Sequence, residues 1–249
     1  MNTRIRIPAM AILLAMLTVA SACVIGDNVT TGELRTESQS VDLGGAKSVR
    51  VEIKMGAGHL KVAGGVKAPT GLLDAEFTYN VPRWKPEVHY TRNGDSGLLT
   101  IEQPGGGSSH GNTRYDWDLH LANKVPTEMS VDMGAGKADL TLGGLALTKL
   151  DLNLGAGETN VDLTGDWKHD FSGQMHGGVG KATIRLPRDI GVRVKASGGL
   201  GSIEAHDFKR DGEDYVNDAY GKSPVTLHVE VEGGVGQIVL ELAEAPGVV

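Results

Sequence analysis

TEMSVDMGAGKADLTLGGLALTKLDLNLGAGETNVD, residues 127–162, contains one phrase written twice: an alternating apolar run, Gly-x-Gly, and a second alternating run. Before the glycines the apolar residues fall at every second position, Val131 and Met133 in one copy, Leu150, Leu152 and Leu154 in the other. Period two is the signature of a strand with one face turned to a core. The same phrase recurs outward along the chain. Its six copies centre on Gly56/Gly58, Gly134/Gly136, Gly155/Gly157, Gly178/Gly180, Gly199/Gly201 and Gly234/Gly236. The other leading runs are Val51, Ile53, Met55; Val192, Val194, Ala196; and Leu227, Val229, Val231.

The residue between the glycines (Ala57, Ala135, Ala156, Val179, Leu200, Val235) continues the inward parity of the leading run. The next inward residues then follow three and five positions later, as Leu60 and Val62 do after Ala57. A one-residue slip of phase marks a bulge or corner. Each Gly-x-Gly therefore reads as a corner between two strands that share one core, and glycine serves where the backbone needs unusual φ values or close approach.

A repeated unit that cannot bury its own apolar face must stack on its neighbours. The reading is all-β: a single-stranded parallel β-solenoid with Gly-x-Gly corners and an N-terminal region of extra strands. Successive first glycines lie 21 (134 to 155), 23 (155 to 178), 21 (178 to 199) and 35 (199 to 234) residues apart. The last interval holds an excursion over 205–224. The long interval from Gly56 to Gly134 carries further strand-like runs, LLDAEFTYN, PEVHY, GLLTIEQ and YDWDLHLA. The organisation expected is 33–128 for the first coil with its inserted strands, 129–242 for the remaining coils, and a tail over 243–249.

The front of the chain is of another kind. Arg4 and Arg6 precede an apolar stretch from Ile7 to Ala20, which ends in Ala20-Ser21-Ala22-Cys23. A charged start, a short apolar run and small residues before a cut describe an export signal over 1–22. Cys23, the only cysteine, stands where a bacterial lipoprotein carries its acylated N-terminus. Two readings stand: a lipid anchor at Cys23 followed by a polar tether over 23–32, or an ordinary cleavage that leaves a free thiol. The chain is expected in the bacterial cell envelope, membrane-anchored by that lipid. Its formal charge is −7, and cleavage after Ala22 moves it to about −9. An acidic surface repels phosphate backbones, so nucleic acid is not an expected partner.

The stretch WDLHLANKVPTEMSVDMGAGKADLTLGGLALTKLDLNLGAGETNVDL, followed by HGGVGKATIRLPRDIGVRVKASGGLGSIEA, resembles the bacterial toast-rack family of β-solenoid domains. It is similar to domains of adhesin-like proteins and to the C-terminal part of cell-wall-active-antibiotic response proteins, over about Glu33 to Leu242. The motifs that carry the resemblance are structural: valine-proline before a coil, Gly-Ala-Gly at the corners, leucine-proline near a coil's end. The resemblance implies an envelope-facing binding module, with a tie to envelope-stress sensing, and brings no catalytic motif. Antibiotic-response members resemble membrane proteins with helices before the solenoid, where this chain has Cys23.

Chemistry is sparse. GGVGKATIR, GGLGSIEA and GGVGQIVL look like calcium-binding Gly-Gly-x-Gly-x-Asp turns, but Ala182, Ile203 and Ile238 stand where the liganding aspartate belongs. No helix follows the Gly-x-Gly pairs to hold a pyrophosphate. In YDWDLHLA, alternation puts Asp116, Asp118 and His120 on one face. Same-face neighbours on a strand stand about 7 Å apart, which favours a solvated face over a metal or proton-transfer site. Glu87 and His89 form a weaker version of this pattern. Neither catalysis, cofactor nor metal is expected.

Aromatic residues crowd into the long first interval and the later excursion. Trp84, Tyr90, Tyr115, Trp117, Tyr215 and Tyr220 read in two ways: as filling for the caps of the stack, or as a surface for a partner protein or glycan. Envelope proteins, cell-surface glycans and other copies of the chain, meeting through open solenoid ends, are the partners expected. An enzyme acting on polysaccharide through Asp116 or Asp118 is the remote alternative.

Overall fold

The structure is a computed structural model and describes residues 30–105 and 112–243. The expected export signal over 1–22, Cys23 and most of the expected tether lie outside the described residues, as do 106–111 and 244–249. Over the described residues the chain is all-β, with one 3-10 turn at Pro82–Trp84. Its strands are β1 (Arg35–Asp42), β2 (Ser48–Gly64), β3 (Gly71–Tyr79), β4 (Glu87–Asn93), β5 (Ser96–Glu102), β6 (Tyr115–Leu121) and β7 (Thr127–Thr141). There follow β8 (Leu147–Asp162), β9 (Phe171–Pro187), β10 (Gly191–His206), β11 (Lys209–Asp211), β12 (Asp214–Val216) and β13 (Thr226–Ala243).

The six long strands β2, β7, β8, β9, β10 and β13 each carry one Gly-x-Gly near the middle, and they pair in parallel. Their register superposes the copies of the phrase: Gly58, Gly136, Gly157, Gly180, Gly236 and Gly201 form one row. The leading limbs bury Val51, Ile53, Val131, Leu150, Leu152, Val192, Val194 and Leu227, and the trailing limbs bury Leu60, Val62, Leu140, Val161, Ile184 and Leu240. These are the inward positions that the two alternations, with a slip at the corner, select. Fully burying one such aliphatic side chain contributes about 1.5–3 kcal/mol, so the repeated rows carry the stability of the sheet.

Both glycines of each pair are required, for different reasons. Gly157 has φ +139°, which side-chain-bearing residues rarely adopt, and a Cβ there would overlap the carbonyl oxygen of Gly136 on the neighbouring strand. At Gly155 no such φ is imposed, but a Cβ would overlap the carbonyl oxygen of Gly134. Close approach thus claims both glycines of this pair, and conformation claims the second as well.

The order of strands differs from simple winding. In chain order the coil of Gly199 follows that of Gly178, yet the sheet runs β2-β7-β8-β9-β13-β10, with the last strand inserted between β9 and β10. The run Ile238-Val239-Leu240 is buried at all three positions, which suits a central strand covered on both faces. The corresponding Ile203-Glu204-Ala205 of β10 is half-buried and suits an edge.

A second difference concerns the residue between the glycines. Expected inside, it is exposed in all six strands, and Val179, Leu200 and Val235 are among the most exposed large apolar residues. The two limbs diverge at the corner, so the apex side chain has no opposing limb to cover it.

At its first strand the sheet forks. The leading limb of β2 pairs with β5 and the trailing limb with β6, both parallel. Together β5 and β6 occupy the place of one further bent strand, with the break between them at its corner. Gln103 makes good the missing corner: its backbone N–H donates to the Lys54 carbonyl at 2.9 Å, and its Oε1 accepts from the Gly56 N–H at 2.8 Å. Antiparallel β3 and β1 extend the sheet beyond β6, and β4 lies antiparallel to β5.

Gly155→Ala and Gly157→Ala should each lower the free energy of unfolding by more than about 1 kcal/mol, read from urea denaturation. Gly144→Ala, with open space at its Cβ, should stay within about 0.5 kcal/mol of the parent. Equal effects at the three positions would remove the close-approach argument.

Candidate functional site

Aromatic residues of the long first interval fill the interior of the forked end. Trp117 and Tyr115 lie on the buried face of β6, and Phe77 and Tyr79 on that of β3. Edge-on contacts join Phe77 to Trp117 at 5.5 Å and Trp84 to Tyr115 at 5.8 Å, and a tilted one joins Tyr115 to Trp117 at 5.6 Å. The Tyr115 hydroxyl donates to the Trp84 carbonyl at 2.6 Å, and burial pushes its phenol pKa up. Of the residues considered for a partner surface, Trp84, Tyr115, Trp117 and Tyr215 are buried, and that reading is corrected: at the fork, without a further long strand beyond β5 and β6, Trp84, Tyr115 and Trp117 close the core, and at the opposite end Tyr215 of β12 is buried beside β10. Tyr90 and Tyr220 are half-buried and tied down, Tyr90 by donating to the Leu43 carbonyl at 2.8 Å, Tyr220 by accepting from Arg193 at 3.0 Å.

Polar groups lock the outer strands to each other. The Tyr79 hydroxyl and the Lys85 ammonium both reach Glu37, at 2.7 and 2.6 Å. The Lys85 and Tyr79 hydrogen bonds hold the Glu37 carboxyl below its usual range, while burial, with Glu37 beside it, pushes Tyr79 up to about 12. Asp42 accepts from the Gly44 N–H and the Thr70 hydroxyl, and Asp74 from the Lys67 N–H and the Ser40 hydroxyl, each at 2.7 Å. Those hydrogen bonds keep both carboxyls below the ordinary aspartate value.

Asp116, Asp118 and His120 share the outward face of β6, as alternation predicts. Asp116 accepts from Arg114 at 2.6 Å, and Asp118 faces His120 at 3.3 Å. On the β4–β5 hairpin Glu87 stands directly opposite Glu102, with His89 beside it, and their ligand atoms lie within 4.8 Å of one another. Sequence reasoning missed Glu102, which comes to Glu87 and His89 only by strand pairing. The cluster is on an open surface with no wall to exclude water, so it lacks the enclosure of a catalytic centre.

The far end of the stack differs in kind. On its outer side β10 is covered by β12 only at Arg193–Lys195, and among the described residues no strand pairs with 196–206 there. Val179, Val235 and Leu200 stand side by side in register at the corners leading to that edge, 58, 48 and 73 % exposed. The sequence signal for this patch was the change from Gly-Ala-Gly to Gly-Val-Gly and Gly-Leu-Gly.

A domain family described as the N-terminal domain of toast_rack, DUF2154, matches residues 30–185. The chain belongs to the toast-rack family. Its fold is similar to the crystal structure of a putative cell adhesion protein from Clostridium sporogenes ATCC 15579, with 34 % identity, a TM-score of 0.81, and 85 % of this chain and 100 % of that one covered. A putative adhesin from Bacteroides fragilis NCTC 9343 is matched at 12 % identity and a TM-score of 0.35, over 84 % of this chain and 97 % of that one. No curated protein matches the chain. The toast-rack match spans the fork and β7 to β9, so the forked end belongs to the family domain together with the bent strands.

The carboxylates that lock this toast-rack domain's outer strands give it an acid limit. Their pKa values are lower in the folded chain than the ~3.9 (Asp) and ~4.3 (Glu) of the unfolded one, so their stabilisation is present above those values and is lost as pH falls below them. The melting temperature should be level from neutral pH to about pH 5 and drop below about pH 4. Asp74→Asn should lower the neutral plateau and flatten that drop in a thermal-melt series.

Proposed function

We propose that this toast-rack protein is a non-catalytic binding module of the bacterial cell envelope, exported and held at a membrane through a lipid on Cys23. The observation that carries this reading is the likeness to a putative cell adhesion protein at 34 % identity over 85 % of the chain. The arrangement of side chains supports it: the carboxylate and histidine groups lie on open strand faces, while the bent strands form a long regular surface. In this reading the parallel strands wind as a solenoid whose forked end is closed by aromatic packing. The open edge of β10 is the docking end, since unpaired backbone groups recruit an extended partner strand. The partner is an envelope protein, which links the module to envelope-stress sensing.

The free edge of β10 also favours a second reading, an adhesin-like structural protein that binds surface glycan or associates with itself. Crosslinking in living cells, read by mass spectrometry, separates the two. A specific envelope protein captured by the parent chain and lost with Cys23→Ala supports the first. Capture of wall polymer or of the chain itself supports the second. Cys23→Ala should also shift the protein from the membrane to the soluble fraction; continued membrane retention would sink the lipid anchor.

A further inference from the structure

The inward row beside the corner changes character half-way along the stack. In β2, β7 and β8 it is Met55, Met133 and Leu154; in β9, β13 and β10 the same register position holds Gly177, Gly233 and Gly198. The apex row changes in the opposite sense, from Ala57, Ala135 and Ala156 to Val179, Val235 and Leu200. Unlike the second glycine of each corner, these three inward ones do not have positive φ. A Cβ at Gly177 would meet nothing nearer than the Glu232 carbonyl at 3.9 Å, and at Gly198 it would meet nothing within 4 Å. Glycine inside a strand costs backbone entropy and packing, so at these two positions its effect is to keep space clear.

That space is a cavity of about 350 Å³ whose lining includes Met175, Val179, Leu200, Ile203, Val235 and Ile238. The volume lies within the ~300–1,000 Å³ range of small-molecule sites. The backbone N–H and C=O groups of β9 and β13 are engaged by strand neighbours on both sides, so these walls offer chiefly methyl and Cα–H groups. A sugar laid against β9 and β13 would lose hydrogen bonds to water without replacement, whereas a hydrocarbon would not.

Among the charged residues at the cavity are Glu158, Glu232, Lys181 and Arg210. Glu158 has Lys137 at 3.8 Å and Asn160 at 3.1 Å, and Glu232 has His176 at 3.1 Å. Among the described residues neither Lys181 nor Arg210 has a carboxylate within ion-pair distance. Arg210 is held in place over the Tyr215 ring at 4.0 Å and donates to its hydroxyl at 2.7 Å.

We propose that this cavity binds a single acyl chain whose anionic head group pairs with Lys181 and Arg210. A free fatty acid and a monoacyl phospholipid share that chemistry. The proposal does not rest on the envelope-module reading and stands or falls separately.

The test is calorimetric titration of the full chain carrying Cys23→Ala, which removes any acyl group of its own. The probes, kept below their micelle concentrations, are decanoate, monodecanoyl phosphatidylglycerol and decanol. Saturable binding of one decanoate or one monoacyl lipid per chain is expected, and whichever binds more tightly identifies the source. Gly177→Leu with Gly198→Leu fills the cavity and should abolish binding while the melting temperature holds or rises. Lys181→Gln with Arg210→Gln should weaken decanoate about tenfold or more, the loss of a charge-assisted contact, and leave decanol unchanged. Should the filled variant not fold, Val179→Asn with Leu200→Gln, at exposed positions, gives the same reading through loss of binding. Three outcomes overturn the proposal: no saturable binding of any probe, equal decanoate binding by the filled variant, or sedimentation showing that a second copy occupies the cavity.

Discussion

Close approach of one strand's corner glycine to the carbonyl oxygen of its neighbour is the constraint from which most of the architecture follows. A Cβ at Gly134, Gly155, Gly178, Gly234 or Gly199 would overlap the carbonyl of the adjacent corner, and each second glycine repeats the relation with its own row. The contact runs in one direction along the stack, from Gly58 against the Tyr115 carbonyl to Gly201 against that of Gly236. Two glycines must face two glycines, so the corners fix the register of six strands at once. A strand slipped by one residue would put a side chain into a carbonyl and turn its apolar face outward.

The same constraint explains how the stack ends. At the fork neither β5 nor β6 carries a Gly-x-Gly, so Gln103 supplies the hydrogen bond to Gly56 while β5 and β6 cover the two limbs separately. The opened core is closed by Phe77, Trp84, Tyr115 and Trp117, with Glu37, Asp42 and Asp74 tying the strands outside it. At the other end the cover is partial, β12 pairing with β10 at Arg193–Lys195 and burying Tyr215. There β10 keeps a free edge beside Leu200, and the inward row has thinned from Met and Leu to Gly. One end of the stack is built for closure and the other leaves an edge and a cavity.

The period-two runs, the phase slip and the paired glycines were legible because each is local: alternation reports one buried face, and a repeated corner reports one backbone solution. The sequence alone determined an all-β chain of superposable bent strands, the identity of their inward rows, and the polar and apolar faces of YDWDLHLA. Tertiary structure decided what depends on pairing over long separations. It placed β13 between β9 and β10, where Ile238-Val239-Leu240 can be covered on both faces and Ile203-Glu204-Ala205 can remain at an edge. It turned Trp84, Tyr115, Trp117 and Tyr215 from prospective surface into core, brought Glu102 to Glu87 and His89, and exposed the apex residues by letting the limbs diverge. Alternation shows which side chains share a face, but only the neighbouring strand determines whether anything covers them.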